Sequence, residues 1–208
     1  MGDINTIGLD VLFHSSIKIE KNGIICYIDP FKVDKNYNDA DYIFITHSHY
    51  DHYSKADIAK VKKEGTIIIG PEDVDEPGML KVAPNQDYEL EKMSFETVRA
   101  YNKEKPFHPK ANNWVGYVLN IDGVKYYIAG DTDCLEELKQ INCDVAFVPV
   151  GGTYTMDYRE AAELVLGMNP PIAIPTHYGS IVGDKEDGYK FKREVESKNE
   201  KIEVVVML

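Results

Sequence analysis

The chain has 208 residues, a formal net charge of −12 at pH 7 and a pI of about 4.9. A nucleic-acid-binding protein usually presents a basic face, and the few lysine clusters here are diluted by acidic residues, so we expect no nucleic-acid partner. The length suits a single domain over residues 1–208, and three cysteines without a Cys-x-x-Cys pair favour a reducing cytoplasm over a disulfide framework.

The N-terminus lacks the basic and apolar regions of a secretion signal. Met1-Gly2-Asp3-Ile4-Asn5-Thr6 fits the loose myristoylation pattern, but no basic patch follows to act as a second anchor. No apolar run approaches the roughly 20 residues that span a bilayer. We therefore expect no stable membrane anchor and a small molecule as the partner, while the oligomeric state stays open.

The first half of the chain is predicted to be mostly β-structure. Lys21-Asn22-Gly23 is typical of a hairpin turn, because Asn-Gly accepts positive φ. Ser54-Lys55-Ala56-Asp57 resembles a capping box and predicts a helix to about Lys63. Apolar and β-branched runs predict strands at 7–13, 17–19, 23–28, 42–46 and 66–70, and two more between 88 and 101.

The second half is predicted to alternate strands and helices. Residues 114–121 and 124–129 form a hairpin around Asp122-Gly123, and a short helix follows residues 130–133. The clearest helix is 157–168, where Asp157 and Glu160 can form a capping box. Further elements are strands at 145–148, 172–175 and 202–207 and a polar helix at 187–198. The pattern predicts two packed sheets with helices outside.

Residues that commonly bind metals are expected at four separate strand ends. The run Thr46-His47-Ser48-His49-Tyr50-Asp51-His52 follows an apolar strand, and His108, Asp131 and His177 come later in the chain. Neutral imidazole and carboxylate are good ligands for divalent metals such as zinc. Seven ligands are too many for one ion, which favours two ions roughly 3.5 Å apart with a bridging carboxylate and hydroxide.

The sequence resembles the metallo-β-lactamase-fold hydrolases. The motifs that carry the resemblance are His47-Ser48-His49-Tyr50-Asp51-His52, His108, Gly130-Asp131-Thr132-Asp133 and Thr176-His177. Phe13-His14-Ser15-Ser16, Ile28-Asp29-Pro30 and residues 149–157 make it similar to the compact branch with ascorbate-phosphate lactonase and the N-acylphosphatidylethanolamine-hydrolysing phospholipase D. The resemblance implies an α/β (α+β) fold, a four-layer αββα sandwich.

The resemblance also implies roles for seven residues. One divalent ion would be held by His47, His49 and His108, a second by Asp51, His52 and His177, and both by Asp131, with Asp51 and Asp131 assigned to catalysis as well. Zinc is the first candidate, and manganese or iron are alternatives. A hydroxide bridged between the ions would cleave an ester, lactone or phosphodiester of a small anionic substrate.

Four further residues are candidates for substrate binding or for supporting the ligands: His14, Asp29, Tyr154 and Tyr178. Ordinary packing for His14 and the tyrosines, and a turn role for Asp29 before Pro30, remain open. Asp133 is interpreted as a helix N-terminal residue. Two other functions remain open on the same fold, a di-iron redox protein and a non-catalytic metal-binding module.

Overall fold

The first of two β-sheets is built by the N-terminal part of the chain in a computed structural model that describes residues 4–208. Met1, Gly2 and Asp3 of the acylation pattern lie outside the described residues. Six strands form this sheet: β1 Leu9–Phe13, β2 Ser16–Lys21, β3 Ile24–Ile28, β4 Ala40–Phe44, β5 Lys62–Gly70 and β6 Leu80–Lys81. They lie side by side in chain order, antiparallel from β1 to β3 and parallel from β3 to β6.

The second sheet repeats this plan. Its seven strands are β7 Asp87–Glu89, β8 Ser94–Arg99, β9 Val115–Ile121, β10 Val124–Ile128, β11 Val145–Pro149, β12 Ile172–Thr176 and β13 Glu203–Val204. They also follow chain order, antiparallel from β7 to β10 and parallel from β10 to β13. In each sheet, therefore, the parallel strands deliver the loops at their carboxyl ends to one edge.

The sheets pack against each other and are covered by helices on their outer faces. Between them, the ring of Phe44 lies 5.2 Å from that of Phe95 and 5.1 Å from that of Tyr117. The three α-helices are α1 Lys55–Val61, α2 Tyr158–Met168 and α3 Asp187–Glu196. Helix α1 packs on the first sheet and α2 and α3 on the second. The predicted four-layer αββα sandwich is confirmed.

Local signals in the sequence set several of these elements. Asn22 and Gly23 have φ of 49° and 75°, the positive values that a two-residue hairpin turn requires. Asp157 accepts hydrogen bonds from the backbone N–H groups of Arg159 and Glu160, and the Glu160 carboxylate accepts one from the N–H of Asp157. This reciprocal cap, worth about 1 kcal/mol, confirms the predicted start of α2.

Four predictions on the elements differ from the structure. Helix α1 ends at Val61, and β5 begins at once rather than at residue 66. Ser54 caps α1, but Asp57 completes no reciprocal box, because its carboxylate accepts from the backbone of Lys32 and Val33. The last strand is only Glu203–Val204. Within residues 4–208, no helix is long and apolar enough to span a membrane.

Candidate metal centre

The predicted ligands converge where loops from both sheets meet. The run 46–52 follows β4, Asp131 follows β10, His177 follows β12, and His14 lies in the turn between β1 and β2. Tyr117 Oη donates a hydrogen bond of 2.6 Å to the carbonyl of Ile45, which fixes the start of the run 46–52 against the second sheet. All six histidines of the chain lie at this edge.

One set of side chains, the three-histidine group, consists of His47, His49 and His108. Nε2 of His47 lies 3.1 Å from Nδ1 of His49, and the ring of His108 lies 5.3 Å from that of His47 and 5.0 Å from that of His49. The donor atoms of the three lie within 4.8 Å of one another. Such spacing allows all three imidazoles to bind one ion.

A second set, the mixed group, consists of His14, Asp51, His52 and His177. Asp51 Oδ2 lies 3.3 Å from His14 Nε2, 3.8 Å from His52 Nε2 and 3.9 Å from His177 Nε2. These four donors also lie within 4.8 Å of one another. The mixed group brings together the three residues assigned to the second ion and adds His14.

Asp131 lies between the two groups. Its Oδ2 is 3.2 Å from His108 Nε2 and 3.1 Å from His177 Nε2, while its Oδ1 is 3.3 Å from His52 Nε2. Glycine at position 130, with φ of 63°, lets the backbone before Asp131 pass close to Thr46. A Cβ at this position would lie 3.2 Å from Thr46 Cβ. Burial opposes ionisation of Asp131, but His177 and His52 together hold its pKa well below the usual range.

Hydrogen bonds on the far side of several rings orient them towards the centre. Nδ1 of His52 lies 2.7 Å from Asp29 Oδ2, and Nδ1 of His47 lies 2.9 Å from the Thr46 hydroxyl. The Thr46 hydroxyl in turn donates to Asp29 at 2.6 Å. A proton held on Nδ1 leaves Nε2 available to a metal, so Asp29 orients the His52 ring as well as forming a turn at φ of 46°.

His108 and His49 are supported by residues that the sequence did not single out. The Asn102 side-chain oxygen accepts from the backbone N–H of His108 at 3.0 Å and lies 2.9 Å from its Nδ1. The Trp114 ring lies 4.7 Å from the His49 ring and donates its indole N–H to Asp73 at 2.7 Å. Only the position of Trp114 at the start of a predicted strand could have drawn attention to it.

Several buried atoms at the centre are left without a hydrogen bond. Among the described residues, these include Nε2 of His14, His52, His108 and His177 and Oδ1 of Asp131. Buried polar atoms rarely go unsatisfied, and converging imidazole nitrogens beside a carboxylate are the donor set that divalent metals prefer. The side chains form a His/Asp metal-binding cluster, and their chemistry fits a divalent ion.

The ionisation of His47 and His49 favours metal binding, whereas His52 must release a proton to bind an ion. Burial lowers the pKa of His47 well below its ordinary value, and burial lowers the pKa of His49 as well. These rings are therefore neutral and offer a lone pair near pH 7. Burial opposes the charge on His52, but Asp131 and Asp29 raise its pKa well above the ordinary value. The pKa of Asp51 is brought to about 2 despite burial, chiefly by the His14 ring, whose Nε2 lies 3.3 Å away.

A cavity of about 210 Å³ opens over the cluster. Tyr154 lies at its mouth, where its ring meets that of Phe107 edge-on at 4.8 Å. Phe107 and Ile181 were not predicted, although Phe107 is a conspicuous apolar residue beside His108 in a polar loop. The cavity is lined by His49, Tyr50, Asp51, Phe107, His108, Asp131, Tyr154, His177 and Ile181.

Two residues lie elsewhere than the sequence suggested. Tyr178 is buried and packs against Gly188 of α3, and it lines a different cavity of about 370 Å³ on the other side of His14. Asp133 does not begin a helix, since the nearby 3₁₀ helix starts only at Glu136. Its carboxylate instead accepts from the side chains of Asn102 and Lys105, which holds the loop that carries His108.

Comparison with known proteins adds an independent finding. Residues 9–177 match the family described as the β-lactamase superfamily domain. A UPF0173 protein of Pyrococcus abyssi is 33% identical over 191 residues, which cover 88% of this chain and 88% of that protein. A UPF0173 metal-dependent hydrolase of Thermoplasma volcanium is 33% identical over 194 residues, which cover 85% of each.

Among solved structures, a protein of Parabacteroides distasonis described as a metal-dependent hydrolase is similar throughout. It aligns with a TM-score of 0.83 and 30% sequence identity, covering 96% of this chain and 91% of that one. The likeness therefore extends over nearly the whole chain.

Proposed function

Since the chain belongs to the β-lactamase superfamily, as its motifs predicted, we propose that it is a metal-dependent hydrolase whose site takes two divalent ions. The observation that carries this proposal is the position of Asp131. Its carboxylate lies within 3.3 Å of His108, in the three-histidine group, and of His52 and His177, in the mixed group. A carboxylate shared by two ligand sets is the arrangement expected of a two-metal hydrolase.

In this proposal each group holds one ion. His47, His49 and His108 bind the first, Asp51, His52 and His177 bind the second, and Asp131 is shared. Two divalent ions bound there would supply hydroxide near neutral pH and polarise the oxygen of the group that is attacked. Zinc is the first choice for these nitrogen and oxygen ligands, with manganese and iron as alternatives.

The side chains of the protein keep the metal-binding atoms in place before a substrate approaches. Asp131 stays ionised because His177 and His52 hold its pKa low, so it serves as a charged ligand and not as an acid. The low pKa of Asp51 assigns it the same role. Asp29, Thr46 and Asn102 fix ring orientations before a substrate arrives, which avoids a reorganisation cost during the reaction.

The cavity suggests the kind of substrate. Two divalent ions would carry more positive charge than the carboxylates of Asp51 and Asp131 neutralise. The base of the cavity would then be positively charged and would attract an anionic group. Phe107, Tyr154 and Ile181 give the mouth an apolar side. We propose a small anionic ester, lactone or phosphodiester with an apolar portion, in keeping with the resemblance to ascorbate-phosphate lactonase.

A substrate screen tests this function. Metal-free protein is reconstituted separately with zinc, manganese and iron and assayed on phosphodiesters, lactones and thioesters. We expect hydrolysis with at least one metal and a loss of at least about 1,000-fold in Asp131→Asn, since a shared charged ligand is removed. The control is Asp122→Asn, the same chemical change in an exposed hairpin turn with φ of 53°, where Asn is well tolerated.

Two results would contradict the proposal. Full activity in a folded Asp131→Asn protein would remove the shared role of that carboxylate. Consumption of dioxygen by the iron form, without hydrolysis by any form, would favour the di-iron redox alternative.

A further inference from the structure

His14 reaches the cluster from the first turn of the N-terminal sheet. It lies in the turn between β1 and β2 with φ of 55°, and its side chain is fully buried. The backbone N–H of His177 donates to the carbonyl of His14 at 2.9 Å, and the two rings lie 3.9 Å apart. A bulky residue held in the left-handed region requires support from its surroundings, and this pairing across the two sheets provides it.

The orientation of the His14 ring is that of a ligand. Nδ1 faces the Ser180 hydroxyl at 3.3 Å, while Nε2 points inwards, 3.3 Å from Asp51 Oδ2. Its donor atom lies within 4.8 Å of those of Asp51, His52 and His177. Ligands on opposite sides of one ion lie up to about 4.4 Å apart at bond lengths of about 2.0–2.2 Å, so the four donors need only a small contraction.

The other roles considered for His14 explain less. Its side chain is 0% exposed, and it does not line the cavity over Asp131, so a substrate there has no access to it. A histidine that serves only packing should have both ring nitrogens satisfied, yet within residues 4–208 no acceptor or donor completes a hydrogen bond with its Nε2.

We propose that His14 directly binds the same ion as Asp51, His52 and His177, an inference that rests on the two-ion function proposed above. The mixed group then offers four side chains of its own, against three in the three-histidine group. The two ions would therefore be held unequally, with the ion in the mixed group the better enclosed of the two.

Removal of the His14 ring, without strain on its backbone, tests this ligand. Gly and Asn both accept positive φ, so His14→Gly and His14→Asn remove the imidazole at little conformational cost. Asn38→Gly is the control, since Asn38 is exposed, has φ of 50° and lies outside the cluster. Full-length metal-free protein is titrated with Co²⁺ by calorimetry, and hyperfine-shifted histidine ring N–H signals are counted by NMR.

We expect two Co²⁺ ions per chain in the unchanged protein and in Asn38→Gly. In both His14 variants, one ion should bind as before and the other more than about 100-fold more weakly, which exceeds the usual effect of a residue acting through a ligand. The count of shifted ring N–H signals at saturating Co²⁺ should fall by one, a change that loss of a merely structural residue would not cause.

Other outcomes overturn the proposal. Unchanged affinities, or a loss of at most about 100-fold with the same number of shifted signals, would show that His14 is not a ligand. In those cases the two-ion function survives. Binding of fewer than two ions by the unchanged protein would instead contradict the proposed function, and the role of His14 with it.

Discussion

The three-histidine group and the mixed group are supported in different ways. Behind the three-histidine group lie uncharged partners: the Thr46 hydroxyl, the Asn102 amide and the Trp114 ring. The mixed group contains the carboxylate of Asp51, and the carboxylate of Asp29 backs His52. Since a carboxylate attracts a cation more strongly than a neutral dipole does, we expect the mixed group to bind its ion more tightly.

We therefore expect one edge of the fold to give two metal sites of unequal affinity. Asp131 contacts members of both groups, so the difference between them must come from the other ligands and their supports. Burial, together with the neighbouring His52 ring, lowers the pKa of His47, whereas two carboxylates raise that of His52 against the effect of burial. The negative charge behind His52 is the clearest physical difference between the two sets.

The largest effect should come from Asp51→Asn. This change removes the charged ligand of the mixed group, so the affinity of that group for zinc should fall by more than about 100-fold. The three-histidine group should keep its affinity to within a few-fold. Calorimetric titration of the metal-free protein measures both constants, and an equal loss at the two groups would remove the distinction between them.

A smaller effect is expected from Asp29→Asn. Asp29 does not contact the ion but holds Nδ1 of His52 at 2.7 Å, so the change should weaken binding by the mixed group by about 10–100-fold. The same titration checks this result. If binding by the three-histidine group weakened instead, the assignment of Asp29 to the mixed group would be wrong.

The smallest effect is expected from Trp114→Phe. Phenylalanine keeps an aromatic ring beside His47 and His49 but loses the indole N–H bond to Asp73, so stability should fall by about 1 kcal/mol. Metal affinity should change only a few-fold, and only in the three-histidine group. Chemical denaturation tests the change in stability, and titration tests the change in metal affinity. Tyr53→Phe, which removes the hydroxyl bonds of Tyr53 to Asp75 and Glu76, is the control.

Much of the fold could be predicted, because its signals are local. Asn22-Gly23 fixes a turn and Asp157 with Glu160 fixes a helix start, through contacts made within four residues. The missing reciprocal cap at the start of α1 could not be predicted in this way. Asp57 is drawn to the backbone of Lys32 and Val33, and such long-range bonds leave no periodic pattern in the sequence.

The metal centre likewise combines features with a local signal in the sequence and features that depend on long-range contacts. The candidate ligands could be proposed from the sequence because histidine and aspartate at close spacing are rare and chemically specific. Their supports were missed, since Asn102, Trp114 and Phe107 are common residues whose function arises only from their neighbours in space. The role of Asp133 was misjudged for the same reason, as its partner Lys105 lies 28 positions away.

The central claim is that two ions share the carboxylate of Asp131. A crystal structure of zinc-loaded protein, with an anomalous-difference map recorded at the zinc absorption edge, tests it most directly. We predict two peaks flanking Asp131, one within bonding distance of His47, His49 and His108 and the other of Asp51, His52 and His177. A single peak at full zinc loading, or two peaks of which only one touches Asp131, would contradict the account.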